Sequence, residues 1–417
     1  MKYSVFSLAR NARSYHERWP LAWRSPELKP RYDAVIVGGG GHGLASAYYL
    51  AKEHGVTNVA VLEKGYLGGG NTGRNTTIVR SNYHIDANAH FYEFSLKLWE
   101  GLARQLNFNI MYSARGVLNL VHSPADMDAA MRRGNAMRLN GIDATFLTTD
   151  EIARWIPNLD CSPDARFPIH GGLLQPRGGT VRHDAVAWGY ARAADALGVD
   201  IIQQCEVTGI RVGDGSITGV DTTRGFIATP KLGLAVAGHS SRLAAMAGLQ
   251  LPIESHALQA MVSEPVKPVL DTVVTSGAVH FYISQSDKGE LVMGGDLDFC
   301  NSYAQRGNLP IIENVVGACL TLFPSFGRLK LMRTWGGVCD MTMDGSPIIG
   351  KLPIKGLYMT GGWCYGGFKA TPASGWLHAH TIARDAPHPL NAAFTLERFA
   401  EGRLIDEKGA GASAWQH

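Results

Sequence analysis

Tyr32-Asp33-Ala34-Val35-Ile36-Val37-Gly38-Gly39-Gly40-Gly41-His42-Gly43-Leu44 is the stretch on which the reading of this chain turns. Tyr32 to Val37 is a short apolar run suited to a buried parallel strand. Gly38, Gly40 and Gly43 then stand at GxGxxG positions, and Leu44 to Glu53 (LASAYYLAKE) has helix composition. Asn58 to Leu62 supplies a second strand that ends at Glu63. Each position has a task at a dinucleotide. Gly38 permits the sharp turn, Gly40 lets backbone approach a pyrophosphate, and Gly43 packs helix on strand. The helix N-terminus offers free N–H groups and a positive dipole end to the phosphates. Glu63 falls at about the ~20-residue spacing where a carboxylate accepts hydrogen bonds from ribose hydroxyls. A lone GxGxxG is a weak signal; strand, helix, second strand and terminal Glu together make the dinucleotide reading.

The next stretch separates FAD from NAD. Lys64 to Thr77 (KGYLGGGNTGRNTT) is a long polar, glycine-rich loop where an NAD domain would begin its next compact α/β unit. A loop that wraps an extended ligand such as FAD accounts for it better.

Composition narrows the class. The chain has 417 residues, which at roughly 100–200 residues per domain suggests two domains. Lys plus Arg number 39 against 36 Asp plus Glu, and the basic stripe of a nucleic-acid binder is lacking. Six scattered cysteines without a CxxC read as reduced thiols in a cytoplasmic protein. No apolar run reaches the ~18–20 residues of a membrane helix, and the N-terminus lacks the pattern of a secretory signal. Metal is not expected: there is no HExxH, and His378 and His380 stand two apart on an expected helix, facing different ways.

Farther out, helices are expected over 86–105, 127–139 and 183–197, and a hairpin over 207–222 around Gly213-Asp214-Gly215. Lys231 to Ala237 and Gly356 to Gly362 read as buried strands ending in glycines, and strand-like runs between 258 and 300 favour a mostly β second domain. The fold class is α/β plus β: a glutathione-reductase-like FAD-binding domain with an interleaved substrate domain on a mostly antiparallel sheet. The expected division is an N-terminal arm at 1–30, an FAD-binding domain from 31–110, 175–250 and 332–395, a substrate domain from 111–174 and 251–331, and a C-terminal tail at 396–417. The arm carries Phe6, Tyr15, Trp19 and Trp23, which fits either a frayed segment or one docking on a partner chain.

The segments VIVGGGGHGLASAYYL, LEKGYLGGGNTGRNTTIVRSNY, GGTVRHDAVAWGYARAA and GGWCYGGFKATPASG together resemble the beta subunits of heterotetrameric sarcosine oxidases. The likeness runs from about residue 19 to the C-terminus. More broadly the chain is similar to the glycine-oxidase, D-amino-acid-oxidase and monomeric sarcosine-oxidase family. The resemblance implies non-covalent FAD, with sarcosine demethylated to glycine, and FMN attached covalently through a histidine at the interface with an alpha subunit. It implies that electrons pass from FAD to FMN, which reduces oxygen to hydrogen peroxide. The one-carbon unit leaves as formaldehyde or passes to tetrahydrofolate on alpha. Gamma and delta subunits complete the implied assembly, with NAD on alpha and zinc on delta.

Residue by residue, Arg80 matches the family's carboxylate-binding arginine and Lys369 the partner lysine. An Arg fork binds a carboxylate bidentately, while Lys acts as a point charge. The implied FAD contacts are Gly38, Gly40, Gly41, His42, Gly43, Glu63, Asn71, Thr72, Arg74, Thr76, Ile78, Val207, Gly367 and Lys369. His183 matches the FMN-linked histidine, with Arg182 beside it to offset charge on that flavin. His239 and Arg333 are further candidates near FMN.

Two departures from the monomeric enzymes stand out. Those enzymes place an oxygen-activating lysine over FAD where this chain has about Val292, which fits oxygen being reduced at FMN; Lys288 nearby reads as a turn cation. Their flavin-linked cysteine falls on Gly337 when Asp344-Gly345 sets the register, and on Cys339 when Gly337-Val338-Cys339 does. The first register is favoured, and with it non-covalent FAD. Rival readings are an oxidase or dehydrogenase for dimethylglycine or proline, a flavin-carrying subunit whose substrate site is unused, and an NAD-dependent dehydrogenase.

Overall fold

The computed structural model describes residues 4–17, 21–298 and 300–407. Strand Ala34–Val37 lies in the middle of a six-stranded sheet, parallel to Leu232–Leu234 on one side and Val59–Leu62 on the other. Leu357–Gly361 and Asp200–Ile202 extend it in parallel, and Ile348–Lys351 closes one edge antiparallel. These strands read as unbroken apolar runs because both faces are covered. Ala34, Ile36, Val59 and Val61 pack under helices Gly41–His54, His183–Ala196 and Thr371–Arg384. Their neighbours Val35, Val37, Ala60 and Leu62 face the ribbon of strands Val207–Gly213, Ser216–Thr222 and Gly225–Ala228. Successive side chains of a strand point to opposite faces, so one short run serves both cores.

The second sheet has eight strands, ordered Leu331–Met341, Glu254–Pro265, Glu290–Leu297, Phe281–Gln285, Val273–Ser276, Val117–Val121, Gly171–Gln175 and Thr145–Leu147. All pairings are antiparallel except that of Val273–Ser276 with Val117–Val121, where the chain's two visits to this sheet meet. Helix Leu309–Leu322 packs into the core of this sheet, and helix Pro124–Leu139 lies against Val117–Val121 and Gly171–Gln175.

Three boundaries differ from expectation. Residues 332–341, grouped from sequence with the nucleotide-binding parts, belong to strand Leu331–Met341, which pairs along its length with Glu254–Pro265. Its composition suits either sheet, and the register with that partner decides. The expected tail from 396 is packed as far as 407: Arg398 is fully buried on Asp344, at 2.8 and 2.9 Å, and Ile405 joins a core cluster. In the N-terminal arm, Trp23 packs against this chain's own core, and Arg24 pairs with Asp195 at 2.8 Å. Phe6 and Tyr15 are exposed, helix Val5–Ala12 buries nothing, and Trp19 lies outside the described residues.

Candidate active site

The glycine turn is forced by crowding. A Cβ on Gly38, where φ is +110°, would lie 2.3 Å from the Ala235 carbonyl oxygen; one on Gly43 would lie 2.0 Å from that of Gly38. Gly40 is different, since its missing Cβ would meet only the Thr72 hydroxyl, at 3.1 Å. That hydroxyl accepts from the Gly41 N–H at 2.9 Å. Glu63 accepts from the N–H groups of Gly39 and Gly65, each at 2.8 Å, which fixes the carboxylate and leaves lone pairs for further donors.

From this turn a cavity of about 890 Å³ runs past Asn71, Thr72, Arg74, Thr76 and Ile78 to Arg80 and Lys369; Val207 and Gly367 also line it. Asn71 stitches the glycine-rich loop to Val338, donating at 2.6 Å and accepting at 2.9 Å. The Arg74 guanidinium holds the carbonyls of Gly69 and Gly70, and Trp335 Nε1 donates to the Arg74 carbonyl at 2.6 Å. His42 ties helix Gly41–His54 to both sides of Lys369, through the Gly367 carbonyl before it at 2.8 Å and Ser374 on helix Thr371–Arg384 after it at 2.6 Å.

At the far end Arg80 donates to Asn82 and lies over the Tyr83 ring, 5.0 Å from its centroid. Tyr83 stacks on Tyr92 at 3.9 Å. Lys369 is buried, and its Nζ donates to the Tyr365 carbonyl at 2.7 Å. Burial, with Arg80 adding to it, holds this ammonium well below the usual lysine range. An anion arriving beside it reverses that imbalance. Asp340, buried on the cavity wall, is pushed up to about 6 by burial and accepts from the Gly362 N–H at 2.6 Å. Glu407 closes helix Asp86–Leu106, whose N-cap Ile85 has no capping side chain. Its carboxylate accepts from the backbone of His84 at 2.6 Å and Ile85 at 3.2 Å. The C-terminal segment thus braces the strand-to-helix turn that presents Arg80.

A second cavity, of about 420 Å³, is lined by His183, Asp184, Trp188, Arg333 and Trp335, and shares Tyr66, Gly69, Thr72, Arg74 and Gln305 with the first. His183 opens helix His183–Ala196, and its Nδ1 is buried with no hydrogen-bond partner. Burial lowers its pKa and favours the neutral ring. Of the four residues expected around FMN, His183 and Arg333 come together here. Arg182 is bound bidentately to Asp184, at 2.9 and 3.0 Å, and does not line the cavity. His239 sits apart, because the turn Ala237–His239 follows strand Leu232–Leu234 at the nucleotide end. It lines the main cavity, 3.5 Å from Lys64 and against the Tyr303 ring. Gly337 and Cys339 both line the main cavity, and the Cys339 thiol donates to the Cys364 carbonyl at 3.0 Å. Val292 and Lys288 line neither.

Sequence reasoning missed Asn119, Arg133, Asp340 and Trp363 in the main cavity and Gln305 and Trp335 in the second. Trp363 lies in the quoted GGWCYGG motif; the others carry no local signal.

The profile of the DAO family, FAD dependent oxidoreductase, matches residues 33–381. The sarcosine oxidase subunit beta of Rhizobium meliloti (strain 1021) is 62% identical over 417 residues, covering all of both chains. That of an Arthrobacter species is 55% identical, covering 94% of this chain and 97% of its own. Among solved structures, L-proline dehydrogenase from P. horikoshii superposes with a TM-score of 0.85 at 26% identity, covering 91% of this chain and 100% of its own. A glycine turn closed by backbone crowding, a cavity leading from it to a half-buried arginine and a buried lysine, and these likenesses converge: the chain belongs to the FAD-dependent oxidoreductase family, among the sarcosine oxidase beta subunits.

Proposed function

We propose that this chain binds FAD non-covalently in a glutathione-reductase-like unit and oxidises sarcosine there. The observation that carries the reading is the placement of Arg80 and Lys369 in one cavity with the glycine turn. The residues present fit FAD: Gly40 puts no side chain at the turn, where only the Thr72 hydroxyl comes near, and Glu63 is oriented with lone pairs to spare. Bound there, FAD supplies the acceptor for a hydride from the substrate's N-methyl group. Arg80 and Lys369 hold the carboxylate and so aim the methyl carbon; such positioning supplies several kcal/mol of the barrier reduction. Hydrolysis of the resulting iminium yields formaldehyde and glycine, or the one-carbon unit passes to tetrahydrofolate on an alpha subunit. The partnered Cys339 thiol is consistent with FAD held without a covalent link.

The second cavity is proposed for FMN, linked through His183, whose role is to relay electrons to oxygen. A half-buried imidazole that favours its neutral form, with a buried and unpartnered Nδ1, has the chemistry of the attacking nucleophile. Arg333 on the same wall would offset negative charge on that flavin. Alpha, gamma and delta subunits are the proposed partners, in the cytoplasm.

The test has two readouts on the purified complex. Sarcosine added without oxygen should bleach bound FAD, and peptides spanning His183 from the denatured complex should carry a flavin mononucleotide adduct while FAD is released. Bleaching by dimethylglycine or proline but not sarcosine would move the chain to another secondary amino acid. No bleaching by any of them would leave it a flavin carrier, and no adduct would remove FMN from the account.

A further inference from the structure

The main cavity continues past Arg80 and Lys369 to helix Pro124–Leu139, where Asn119, Arg133 and Ser276 line it. The charge of Glu407 reaches Arg133, but not as an ion pair. Its Nε is buried without a hydrogen-bond partner, and among the described residues the side chain enters no ion pair or ring contact. The residue keeps partial exposure where it lines the cavity. Burial, and then the neighbouring charge of Arg80, push its guanidinium down to about 10.

The nearby carboxylates are committed elsewhere. Glu407 is bound to His84 and Asn88, each at 3.0 Å. Asp126, on the same helix, also lines the cavity; it is exposed, accepts from the His122 N–H at 3.3 Å and makes no ion pair with Arg133. Two more buried donors go unanswered. Asn119 accepts from Thr275 through its Oδ1, so its Nδ2 is left without an acceptor. Asn82, whose Oδ1 takes the Arg80 guanidinium, has an orphaned Nδ2 as well. An unpaired buried cation is destabilising, and so is a buried donor without an acceptor. Of the three residues, Asn119 and Arg133 line the cavity and Asn82 does not; two unanswered donors on its wall describe a place that an anion would complete.

We propose that Arg133, with Asn119, forms a second anion subsite in the substrate cavity, which takes a distal carboxylate when Arg80 and Lys369 hold the first. The ligand class is a dicarboxylate or an amino acid whose nitrogen carries a carboxylated arm. The inference rests on the reading of Arg80 and Lys369 given above.

The probes are straight-chain dicarboxylates from malonate to adipate, each against the monocarboxylate of equal chain length. Binding to the FAD-loaded complex is read at constant ionic strength from the flavin absorbance. At least one dicarboxylate should bind about tenfold tighter than its monocarboxylate, the increment of one charge-assisted hydrogen bond. Arg133→Met should abolish that advantage while monocarboxylate affinity stays unchanged, and Arg133→Lys should retain part of it. Arg133→Met removes an unpaired cation, so its melting temperature should not fall; Arg133→Gln serves as the second neutral variant. No dicarboxylate advantage in the wild type, or an advantage that survives both neutral variants, overturns the subsite. If the Arg133-dependent advantage is present but Arg80→Met leaves monocarboxylate binding unchanged, the subsite stands and the assignment of Arg80 fails instead.

Discussion

The imidazole of His42 donates through Nε2 to the carbonyl oxygen of Gly367, 2.8 Å away. A carbonyl only accepts, so Nε2 carries the proton and Nδ1 accepts from the Ser374 hydroxyl at 2.6 Å. The glycine turn and the segment bearing Lys369 are therefore held to one another by a single neutral ring. Replacing His42 by Phe should leave buried polar partners unsatisfied, at a cost of roughly 2 kcal/mol. It should also weaken FAD retention. Urea unfolding and FAD content after gel filtration would measure the two effects.

Acid should unfold this protein early. Burial lowers His42 to about 4 and His378 to about 3, both from an ordinary 6.5. The unfolded chain binds these protons first, so stability is complete above pH 6.5 and falls as pH drops toward 4 and then 3. Each ring contributes a slope of about 1.4 kcal/mol per pH unit within its window. Melting temperatures between pH 7 and 4.5 should decline steeply, and His378→Leu should make the decline shallower.

Carboxylate binding should take up a proton. Lys369 is held well below the lysine range by burial, and an anion beside it raises its pKa again. Calorimetry of acetate binding to the FAD-loaded complex in buffers of different ionisation enthalpy should show net uptake at a pH below the ordinary lysine range. The uptake should vanish in Lys369→Met.

The Arg398–Asp344 pair is buried on both sides. Arg398→Ala leaves the carboxylate unpaired and should cost about 3–5 kcal/mol. The double change to Met and Leu should recover much of that loss, as chemical denaturation would show.

Gly43→Ala tests the turn itself. Its methyl would meet backbone, the Gly38 carbonyl oxygen at 2.0 Å, and backbone cannot step aside as a side-chain end does. We expect a protein that folds with a loss of roughly 1–3 kcal/mol and purifies without FAD.

What could be read in the sequence follows from how locally each feature is determined. Gly38, Gly43 and Glu63 act within one βαβ unit, and their spacing alone states their tasks. Arg80 and Lys369 lie 289 positions apart in numbering, and only the likeness to known proteins pairs them before the fold does. Arg133 had no such help: in MRRGNAM it reads as one cation of a solvated helix, and its loneliness exists only once the cavity is built. Arg398 reads as a surface residue for the same reason, since its partner is 54 residues away. Likeness groups His239 with His183, yet the turn after Leu232–Leu234 puts it on the wall of the main cavity, which His183 does not line.

The cap that Glu407 places on helix Asp86–Leu106 joins atoms 323 residues apart in sequence. A ribosome releases the Arg80 turn about three hundred residues before the residue that braces it. Strand Leu357–Gly361, needed beside Leu232–Leu234, also emerges late. During synthesis the first βαβ unit therefore waits, glycine turn exposed, for most of the chain to appear. Loading with flavin before then would meet a half-built sheet and an unbraced turn, so cofactor incorporation belongs after Glu407 has emerged.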